Sequence, residues 1–299
     1  KKIRGSGGAG GGGGAAGFGA APLASIGGGG IWQPPGGPIG APAAAPTPVA
    51  PVASLLQSTT RFDSLPLSPM TLAAMAQGFG YVYCSPVQEK SIPVALQGYD
   101  VLARARTGTG KTLGFLIPAI EKLVQSGERR QPGGCAILVL SPTRELSTQI
   151  ADEGKRLLQF HQNIGVTIMM GGTNADKERK QMGTGGPGPQ TLLVATPGRL
   201  EDHLYNTPGF RARFNDLRTF VLDEADQMLD MGFRPTITKI LAALPPPATR
   251  QTLLYSATVP KEMQEIASRA LRPGDQQRFV DCVGEGAEQT ASKLEQFWL

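Results

Sequence analysis

Residues 102–112 read LARARTGTGKT, an apolar and basic start followed by two glycines and a Lys–Thr pair. The phosphate-loop pattern is G-x-x-x-x-G-K-[ST], and residues 105–112 match it except that Ala105 replaces the first glycine. The stretch follows a predicted strand, DVLARA, and opens a predicted helix, KTLGFLIPAIEKL. Backbone N–H groups and the helix dipole then converge on an anion. The segment therefore predicts a loop that binds nucleotide phosphates.

The residue types of this loop suit that chemistry. Gly108 and Gly110 permit the positive φ angles that a phosphate-binding nest needs. Lys111 can reach terminal phosphates, and the Thr112 hydroxyl can coordinate Mg²⁺. The alternative is an ordinary glycine turn with a solvated lysine, and other motifs decide between the two. The predicted phosphate-loop residues are Ala105, Arg106, Thr107, Gly108, Thr109, Gly110, Lys111 and Thr112.

From about residue 100, short β-branched runs alternate with amphipathic stretches. Further predicted strands are CAILVLS, GVTIMMG, TLLVAT, TFVLDEA and QTLLYSAT. This alternation predicts an α/β fold, a mostly parallel sheet flanked by helices on both faces. Ligands of such folds bind at the carboxyl edge of the sheet, so we expect the functional residues where strands end.

Composition separates the first 60 residues from the rest. Residues 1–60 are rich in Gly, Ala and Pro, and no charged residue lies between Arg4 and Arg61, which predicts a disordered tail. Without the three basic residues of this tail, 26 basic and 24 acidic residues remain, so net charge indicates little about partners. No apolar run approaches the roughly 18 residues of a membrane span.

Cysteine and histidine spacing predicts no metal site. The three cysteines are far apart and odd in number, which fits neither a disulfide framework nor paired zinc ligands and favours a reducing compartment. His161 and His203 match no catalytic or metal spacing, and we predict that both lie at the surface.

An acidic cluster, DEAD at 223–226, follows the predicted strand TFVL. A carboxylate just beyond the sheet edge can hold Mg²⁺ through water, and a second can orient an attacking water. The alternative is a helix amino terminus that favours acidic residues.

Two further segments, SPTR at 141–144 and TPGR at 196–199, follow strands and precede helices. Both fit helix starts with Ser or Thr at the cap and proline at the first helical position. Free N–H groups, a hydroxyl and an arginine at such a start also suit nucleic-acid phosphates, without reading bases.

Six motifs in fixed order make this chain resemble the DEAD-box RNA helicases, which have a RecA-like ATPase fold. The resemblance covers about residues 62–299. The motifs are ARTGTGKT at 105, PTREL at 142, GG at 171, TPGR at 196, DEAD at 223 and SAT at 256.

The resemblance implies a role for each motif. It implies ATP and Mg²⁺ as cofactors, with Lys111, Asp223 and Glu224 catalytic and Thr112 and Asp223 at the metal. GYVYCSPVQ at 80–88 is similar to the adenine-recognition motif, which implies that Gln88 reads the adenine and that Phe62 packs on it, although Cys84 replaces the usual proline. Coupling of hydrolysis to strand separation is implied for Asp226, Ser256 and Thr258. RNA-backbone contact is implied for Pro142, Thr143, Arg144, Gly171, Gly172, Thr196, Pro197, Gly198 and Arg199.

We expect three regions: a tail at 1–60, an ATP-binding RecA-like domain at 61–280, and at 281–299 the start of a linker to a second RecA-like lobe, which this chain lacks. That lobe supplies arginines that raise the hydrolysis rate about 10³- to 10⁵-fold, so we expect a fragment that alone hydrolyses ATP very slowly.

Two alternative functions remain: another phosphate-loop translocase, or a single lobe that binds nucleotide or a protein without catalysis. RFDSLPLSP and DCVGEG resemble plant and fungal members, several of which serve mitochondria or chloroplasts. We therefore expect an intracellular protein that does not bind membranes, with the mitochondrion or the chloroplast as its candidate compartment.

Overall fold

Seven short strands form the centre of the fold. The computed structural model describes residues 58–126, 133–161, 164–172, 178 and 192–283, all within the compact unit Ala50–Leu299. The predictions for residues 1–57 and 284–299 lie outside the described residues. The strands are β1 (Asp100–Arg104), β2 (Ile137–Leu140), β3 (Val166–Met169), β4 (Leu192–Ala195), β5 (Thr219–Leu222), β6 (Gln251–Ser256) and β7 (Gln277–Asp281).

The strands form one sheet in the order β3-β4-β2-β5-β6-β1-β7, and every neighbouring pair is parallel. β2 pairs with β4 on one side and β5 on the other, so that Ile137 lies opposite both Leu192 and Thr219. Strands buried on both faces need near-continuous apolar runs, which is what the sequence of β2, β4 and β5 supplies. The predicted α/β fold with a parallel sheet is confirmed.

Helices cover both faces of the sheet. Several begin where the sequence predicts a start, and α3 opens directly after the phosphate loop. The helices are α1 (Pro69–Ala73), α2 (Pro86–Leu96), α3 (Lys111–Gln125), α4 (Arg144–Leu157), α5 (Pro197–Asn206), α6 (Ala225–Asp230), α7 (Arg234–Ala243) and α8 (Lys261–Ala270). A π-helical turn at Ala74–Phe79 continues α1, and 3₁₀ turns lie at Phe62–Ser64, Leu158–Phe160, Phe210–Phe214, Pro247–Thr249 and Gly274–Gln276.

Two hydrophobic clusters lie on opposite faces of the sheet. In β1, Val101 and Ala103 belong to the cluster packed with α2, α3 and α4, whereas Leu102 belongs to the cluster packed with α5 to α8. This alternation follows from the two-residue period of a strand. The two helical layers therefore fix the sheet from both sides, and with it the position of its carboxyl edge.

The strand order decides which loops meet at the carboxyl edge. Read along the sheet from β3 to β1, the edge carries GG, TPGR, PTREL, DEAD, SAT and the phosphate loop, each directly after its own strand. The phosphate loop thus lies at one side, and the segments predicted to contact RNA lie at the other. The DEAD and SAT segments lie between them.

β7 was not among the predicted strands. It extends the sheet beyond β1, with Asp281 opposite Arg104. The Arg104 guanidinium donates to both carboxylate oxygens of Asp281, at 3.1 and 2.6 Å, and Cys282 N donates to Arg104 O at 2.8 Å. The end of β7 is thereby joined to the strand that enters the phosphate loop.

The surface prediction for both histidines is wrong. His203 is fully buried and His161 is 7% exposed. His161 Nε2 lies 3.0 Å from the Thr71 hydroxyl, and His203 Nδ1 lies 2.9 Å from the Thr207 hydroxyl. Both imidazoles are thus held by hydroxyls. The partner of His161 is 90 residues away in the chain, whereas the partner of His203 is four residues away.

The beginning of the folded domain includes residues that we assigned to the tail. Ser58 N donates to Cys84 O at 2.9 Å, and Cys84 N donates to Thr60 O at 2.8 Å. Cys84 itself is fully buried. The segment from residue 58 therefore pairs with the chain that leads into α2.

Cys135 is also buried and Cys282 is partly buried; all three thiols are free. Among the described residues, no helix has the length and apolar character needed to cross a membrane.

Candidate nucleotide and phosphate-binding site

The phosphate loop joins the end of β1 to the start of α3. Gly108 and Gly110 have φ angles of 75° and 90°, as their place in the motif predicts. The Thr109 hydroxyl donates to Arg106 O at 2.7 Å, and Ala105 N donates to Ser256 O at 2.9 Å. These two bonds stabilise a turn within the loop and connect the loop to the end of β6. The helix α3 begins at Lys111, at the end of the loop.

Gln88 contacts this loop directly. The amide is 4% exposed; its Oε1 accepts from Ser85 N at 2.8 Å, and its Nε2 donates to Gly110 O at 3.0 Å. Gly110 must be glycine for two reasons, since a Cβ there would lie 2.6 Å from Gln88 Nε2 in addition to requiring a positive φ. Gln88 thus links the start of α2 to the phosphate loop, whereas its contact with adenine stays a prediction.

Phe62 lies upstream of Gln88, in a 3₁₀ turn that packs against the cluster of α2 and α3. The residue is only 2% exposed, and its N–H donates to Val82 O at 3.0 Å. The contact of its ring with a base likewise stays a prediction.

Lys111 and Glu224 form a buried ion pair between the phosphate loop and the acidic cluster. Lys111 Nζ lies 2.7 Å from Glu224 Oε1, and the two side chains are 5% and 7% exposed. Among the described residues, no group accepts from the ammonium with hydrogen-bond geometry, so its donors are available to an anion. Glu224 has a φ of 48°, the sole positive φ at a non-glycine residue in the described part of the chain. Such a conformation costs on the order of 1–3 kcal/mol and is typical of functional sites.

Asp223 carries a buried carboxylate oxygen that no group in the described part of the chain satisfies. The residue is 4% exposed, and within the described ranges no group donates a hydrogen bond to its Oδ1. Burial and the adjacent Glu224 carboxylate together raise the pKa of Asp223 to about 7, although Lys111 opposes both effects. Desolvation and a like charge both disfavour the ionised form. A cation beside Asp223 would remove this penalty.

The donors near the phosphate loop fit a hydrated Mg²⁺. In the ranges that the structure describes, no cluster of three or more His, Cys, Asp or Glu could hold a metal ion. Mg²⁺ is typically held by one or two carboxylates together with substrate phosphates and waters, so it needs no such cluster. Asp223, with its unsatisfied oxygen, and Thr112, partly exposed in the first turn of α3, are donors of this kind.

Asp226 connects the acidic cluster to the end of β6. Its Oδ2 accepts from Thr258 N at 2.9 Å and from the Thr258 hydroxyl at 2.8 Å, while its own N–H donates to Ser256 Oγ at 3.2 Å. Burial alone would raise the pKa of Asp226, but the hydrogen bonds from Thr258 and Ser256 outweigh it and lower that pKa. The DEAD and SAT segments are therefore one hydrogen-bonded unit.

A second site lies farther along the same edge, in a pocket of about 620 Å³ that we call the α4–α5 pocket. It brings together residues from all three segments that were predicted to contact RNA. Its predicted lining residues are Pro142, Thr143, Arg144, Gly171, Thr196, Gly198 and Arg199. Sequence reasoning missed four others, Glu145, Asp202, Met231 and Phe233, because they belong to no phosphate-binding pattern.

The helix starts at this pocket differ from the prediction for one of the two segments. Thr196 precedes α5 with Pro197 at the first helical position, as predicted. At α4, however, the cap is Thr143, whose hydroxyl accepts from Leu146 N at 3.2 Å, and Pro142 lies before the helix. The expectation of proline at the first position is therefore wrong for α4, because its helical turn begins at Arg144.

The two arginines of the pocket are held in different ways. Arg144 packs on Gly172, where a Cβ would lie 2.6 Å from Arg144 Nη1. Arg199 Nη1 lies 3.5 Å from Glu178 Oε2, and the same carboxylate oxygen lies 3.1 Å from His203 Nε2. Gly172 and Pro197, the remaining members of the predicted set, adjoin the pocket through Arg144 and α5.

Comparisons with known proteins agree with this geometry. The family model described as DEAD/DEAH box helicase matches residues 85–266. The chain is 48% identical over 242 residues to DEAD-box ATP-dependent RNA helicase 26 of Oryza sativa subsp. japonica, covering 81% of this chain and 43% of the relative. It is 48% identical over 241 residues to DEAD-box ATP-dependent RNA helicase 31 of Arabidopsis thaliana, covering 79% and 32%.

A solved structure supports the same assignment. The fold matches the crystal structure of a DEAD box protein from the hyperthermophile Methanococcus jannaschii with a TM-score of 0.62 and 34% identity, over 74% of this chain and 55% of that one. This chain thus spans less than half the length of the two plant relatives. Because the family model matches more than half of the chain and the motifs lie together at one sheet edge, this chain belongs to the DEAD/DEAH box helicase family.

Proposed function

We propose that this chain is the part of an ATP-dependent RNA helicase that binds ATP and the backbone of one RNA strand. Within the longer protein, it would couple ATP hydrolysis to local unwinding of RNA duplexes. The observation that carries this proposal is a single sheet edge with the phosphate loop at one side, the α4–α5 pocket at the other, and the Asp226–Thr258 contact between them. The names of the plant relatives support the same activity.

ATP would lie across the phosphate loop. Backbone N–H groups of the loop and of the start of α3 would bind the phosphates, and Lys111 would contribute a buried ammonium. The amide of Gln88, which can donate and accept at once, would read the adenine edge close to Gly110. Burial of the ammonium makes its interaction with phosphate stronger than it would be in water.

Asp223 and Thr112 would hold Mg²⁺, which neutralises charge on the phosphates during their transfer. A terminal phosphate near Lys111 competes with Glu224 for the ammonium, because both are anions close to one cation. The Glu224 carboxylate is then available to accept a hydrogen bond from the attacking water. The left-handed backbone at Glu224 holds this carboxylate at the mouth of the phosphate loop.

RNA would lie in the α4–α5 pocket. Arginines and free N–H groups at two helix starts bind phosphate oxygens without distinguishing bases. Binding of this kind has low sequence specificity and weakens strongly with salt. Asp226, Ser256 and Thr258 lie between this pocket and the phosphate loop, so we assign them the coupling of the two sites.

The first test is equilibrium binding of a fluorescent ATP analogue with Mg²⁺, measured with and without RNA. We expect binding that is lost in Lys111→Ala and in the absence of Mg²⁺. Arg199→Ala, at the other side of the edge, is the matched control, and it should leave nucleotide binding in the absence of RNA unchanged. Nucleotide binding that is equal in wild type and Lys111→Ala would contradict the proposal.

A further inference from the structure

A turn between α6 and α7 brings an exposed methionine to the wall of the α4–α5 pocket. Gly232, with a φ of 81°, allows the chain to reverse. Gly232 N donates to Leu229 O at 2.9 Å and Phe233 N to Met228 O at 3.0 Å, so the turn is fixed by its backbone. Met231 is 49% exposed and Phe233 is partly buried, and both line the pocket. Exposed apolar surface therefore lies beside the predicted phosphate contacts.

Attraction of an anion by charged side chains does not explain the whole lining of the pocket. Arg144 and Arg199 are balanced by Glu145 and Asp202, so the lining side chains carry no net positive charge. Charge alone therefore does not attract a polyanion to every part of the pocket. The other lining residues are mostly apolar or lack a side chain: Pro142, Gly171, Gly198, Met231 and Phe233.

We propose that the α4–α5 pocket binds a nucleobase of the RNA strand as well as its phosphates, with Met231 packed on the face of the base. This inference rests on the RNA-binding function proposed above. A thioether makes favourable contacts with aromatic rings. Because every base has a π-face, such a contact tolerates sequence. The pocket volume falls within the roughly 300–1,000 Å³ of small-ligand pockets, which leaves space for a base beside the backbone.

Features of the pocket favour RNA over an apolar side chain of a protein partner. α4 and α5 both begin at the pocket, and the free N–H groups of a helix start favour phosphate. Two arginines lie at the same starts, at Arg144 and Arg199. An occupant with anionic groups and an aromatic face uses both kinds of surface, which a single-stranded nucleic acid provides.

The test compares two fluorescent RNA oligonucleotides of equal length in an anisotropy titration with the full chain. One carries all its bases, and the other carries abasic sites along its centre. Met231→Ala should weaken binding of the base-carrying RNA by about 2- to 10-fold and leave the abasic RNA unchanged. Met231→Leu, which keeps apolar volume, should retain most of the affinity. The salt dependence should be the same in both variants.

Two control variants separate the base contact from other effects. Met70→Ala removes a methionine of similar exposure, 41%, from α1 outside the pocket, and should change neither affinity. Arg199→Ala should weaken both RNAs and reduce the slope of log K against log salt by about 0.7.

Each outcome bears on one proposal or on both. If Met231→Ala weakens both RNAs equally, or neither, the base contact is overturned while RNA binding by the pocket stands. If the wild-type chain binds neither RNA even at low salt, the RNA-binding function fails and the base contact fails with it.

Discussion

Gly172 is the position in the α4–α5 pocket where one methyl group would matter most. A Cβ there would lie 2.6 Å from Arg144 Nη1 and 2.9 Å from its Cζ, and the residue has a φ of 85°. At the neighbouring Gly171, a Cβ would meet nothing within 4 Å, and the φ is not positive. The two glycines of the motif therefore have different physical reasons to be glycine.

Gly172→Ala should displace the Arg144 guanidinium and strain the backbone. We expect a loss of about 1 kcal/mol in the free energy of unfolding and weaker RNA binding, measured by urea denaturation and anisotropy. Gly171→Ala is the matched control and should be close to neutral in stability. Equal effects of the two substitutions would show that Arg144 does not depend on this contact.

Lys111→Ala should leave Glu224 and Asp223 buried without their cation. Removing one partner of a buried pair costs about 3–5 kcal/mol, so we expect a loss near the lower end of that range in urea denaturation at neutral pH. Adding Glu224→Gln should restore part of the loss, because it removes the uncompensated charge. A double variant whose loss equals the sum of the single losses would rule out this coupling.

Asp223 should make the stability of the ligand-free protein depend on pH. Its pKa in the folded protein, about 7, lies above the ordinary value of 3.8, so the folded state binds a proton more tightly than the unfolded state. This group therefore lowers stability as the pH rises from about 4 to about 7. Asp223→Asn should remove this component from a series of melting temperatures. Parallel pH profiles of the two proteins would contradict it.

Single residues of the site differ in how far the sequence predicts them. The positive φ angles of Gly108 and Gly110 follow from their places in the motif, and the structure contains both. The ion pair of Lys111 with Glu224 could not be predicted, because it depends on where β1 and β5 lie in the sheet. The place of Met231 in the pocket could not be predicted either, because an exposed methionine in a turn belongs to no sequence motif.

At the scale of elements, the contact between α6 and the end of β6 depends on few atoms. The Asp226 carboxylate accepts twice from Thr258, from its N–H and from its hydroxyl. Only the second bond depends on the side chain of Thr258, so a substitution can remove it without removing the first.

Thr258→Val should cost about 1 kcal/mol of unfolding free energy at neutral pH, since it removes one hydrogen bond to a carboxylate and the exposure of Thr258 to water reduces the strength of that bond. The lowered pKa of Asp226 contributes stability that is present above its unfolded pKa and is lost as the pH falls through the folded value. The difference between wild type and Thr258→Val should therefore shrink below about pH 4. Urea denaturation at pH 7 and pH 3.5 measures it; a difference independent of pH would refute the role of the ionised carboxylate.

Elements buried on both faces were predictable, and an edge element was not. The runs that form β2 and β4 are apolar throughout and that of β5 is apolar after Thr219, whereas β7 reads QRFVD and exposes part of most of its residues. An edge strand with mixed polarity resembles a loop in sequence. The cap of α4 was also misplaced, because either Ser141 or Thr143 could precede the helix in sequence, and the structure has Thr143 at the cap.

At the scale of the whole molecule, the sequence predicts the fold class but not the strand order. Motif spacing places each functional segment after a strand, yet the arrangement of the segments along the edge follows from the order β3-β4-β2-β5-β6-β1-β7. That order puts the DEAD and SAT segments between the two sites. The burial of His161 also depends on distant parts of the chain, since its ring contacts Thr71, which is 90 residues away in sequence.

The two buried cysteines lie on opposite faces of the sheet. Each thiol can therefore report on the opening of its own face. Cys84 packs with the cluster of α2, α3 and α4, and Cys135 packs with the cluster of α5 to α8. Burial raises the pKa of both thiols to about 12, so neither forms a reactive thiolate in the closed protein. The rate at which each thiol is alkylated then reports how often its own layer of helices opens. After the partly exposed Cys282 has reacted, the ratio of the two rates would show whether the layers open together or separately.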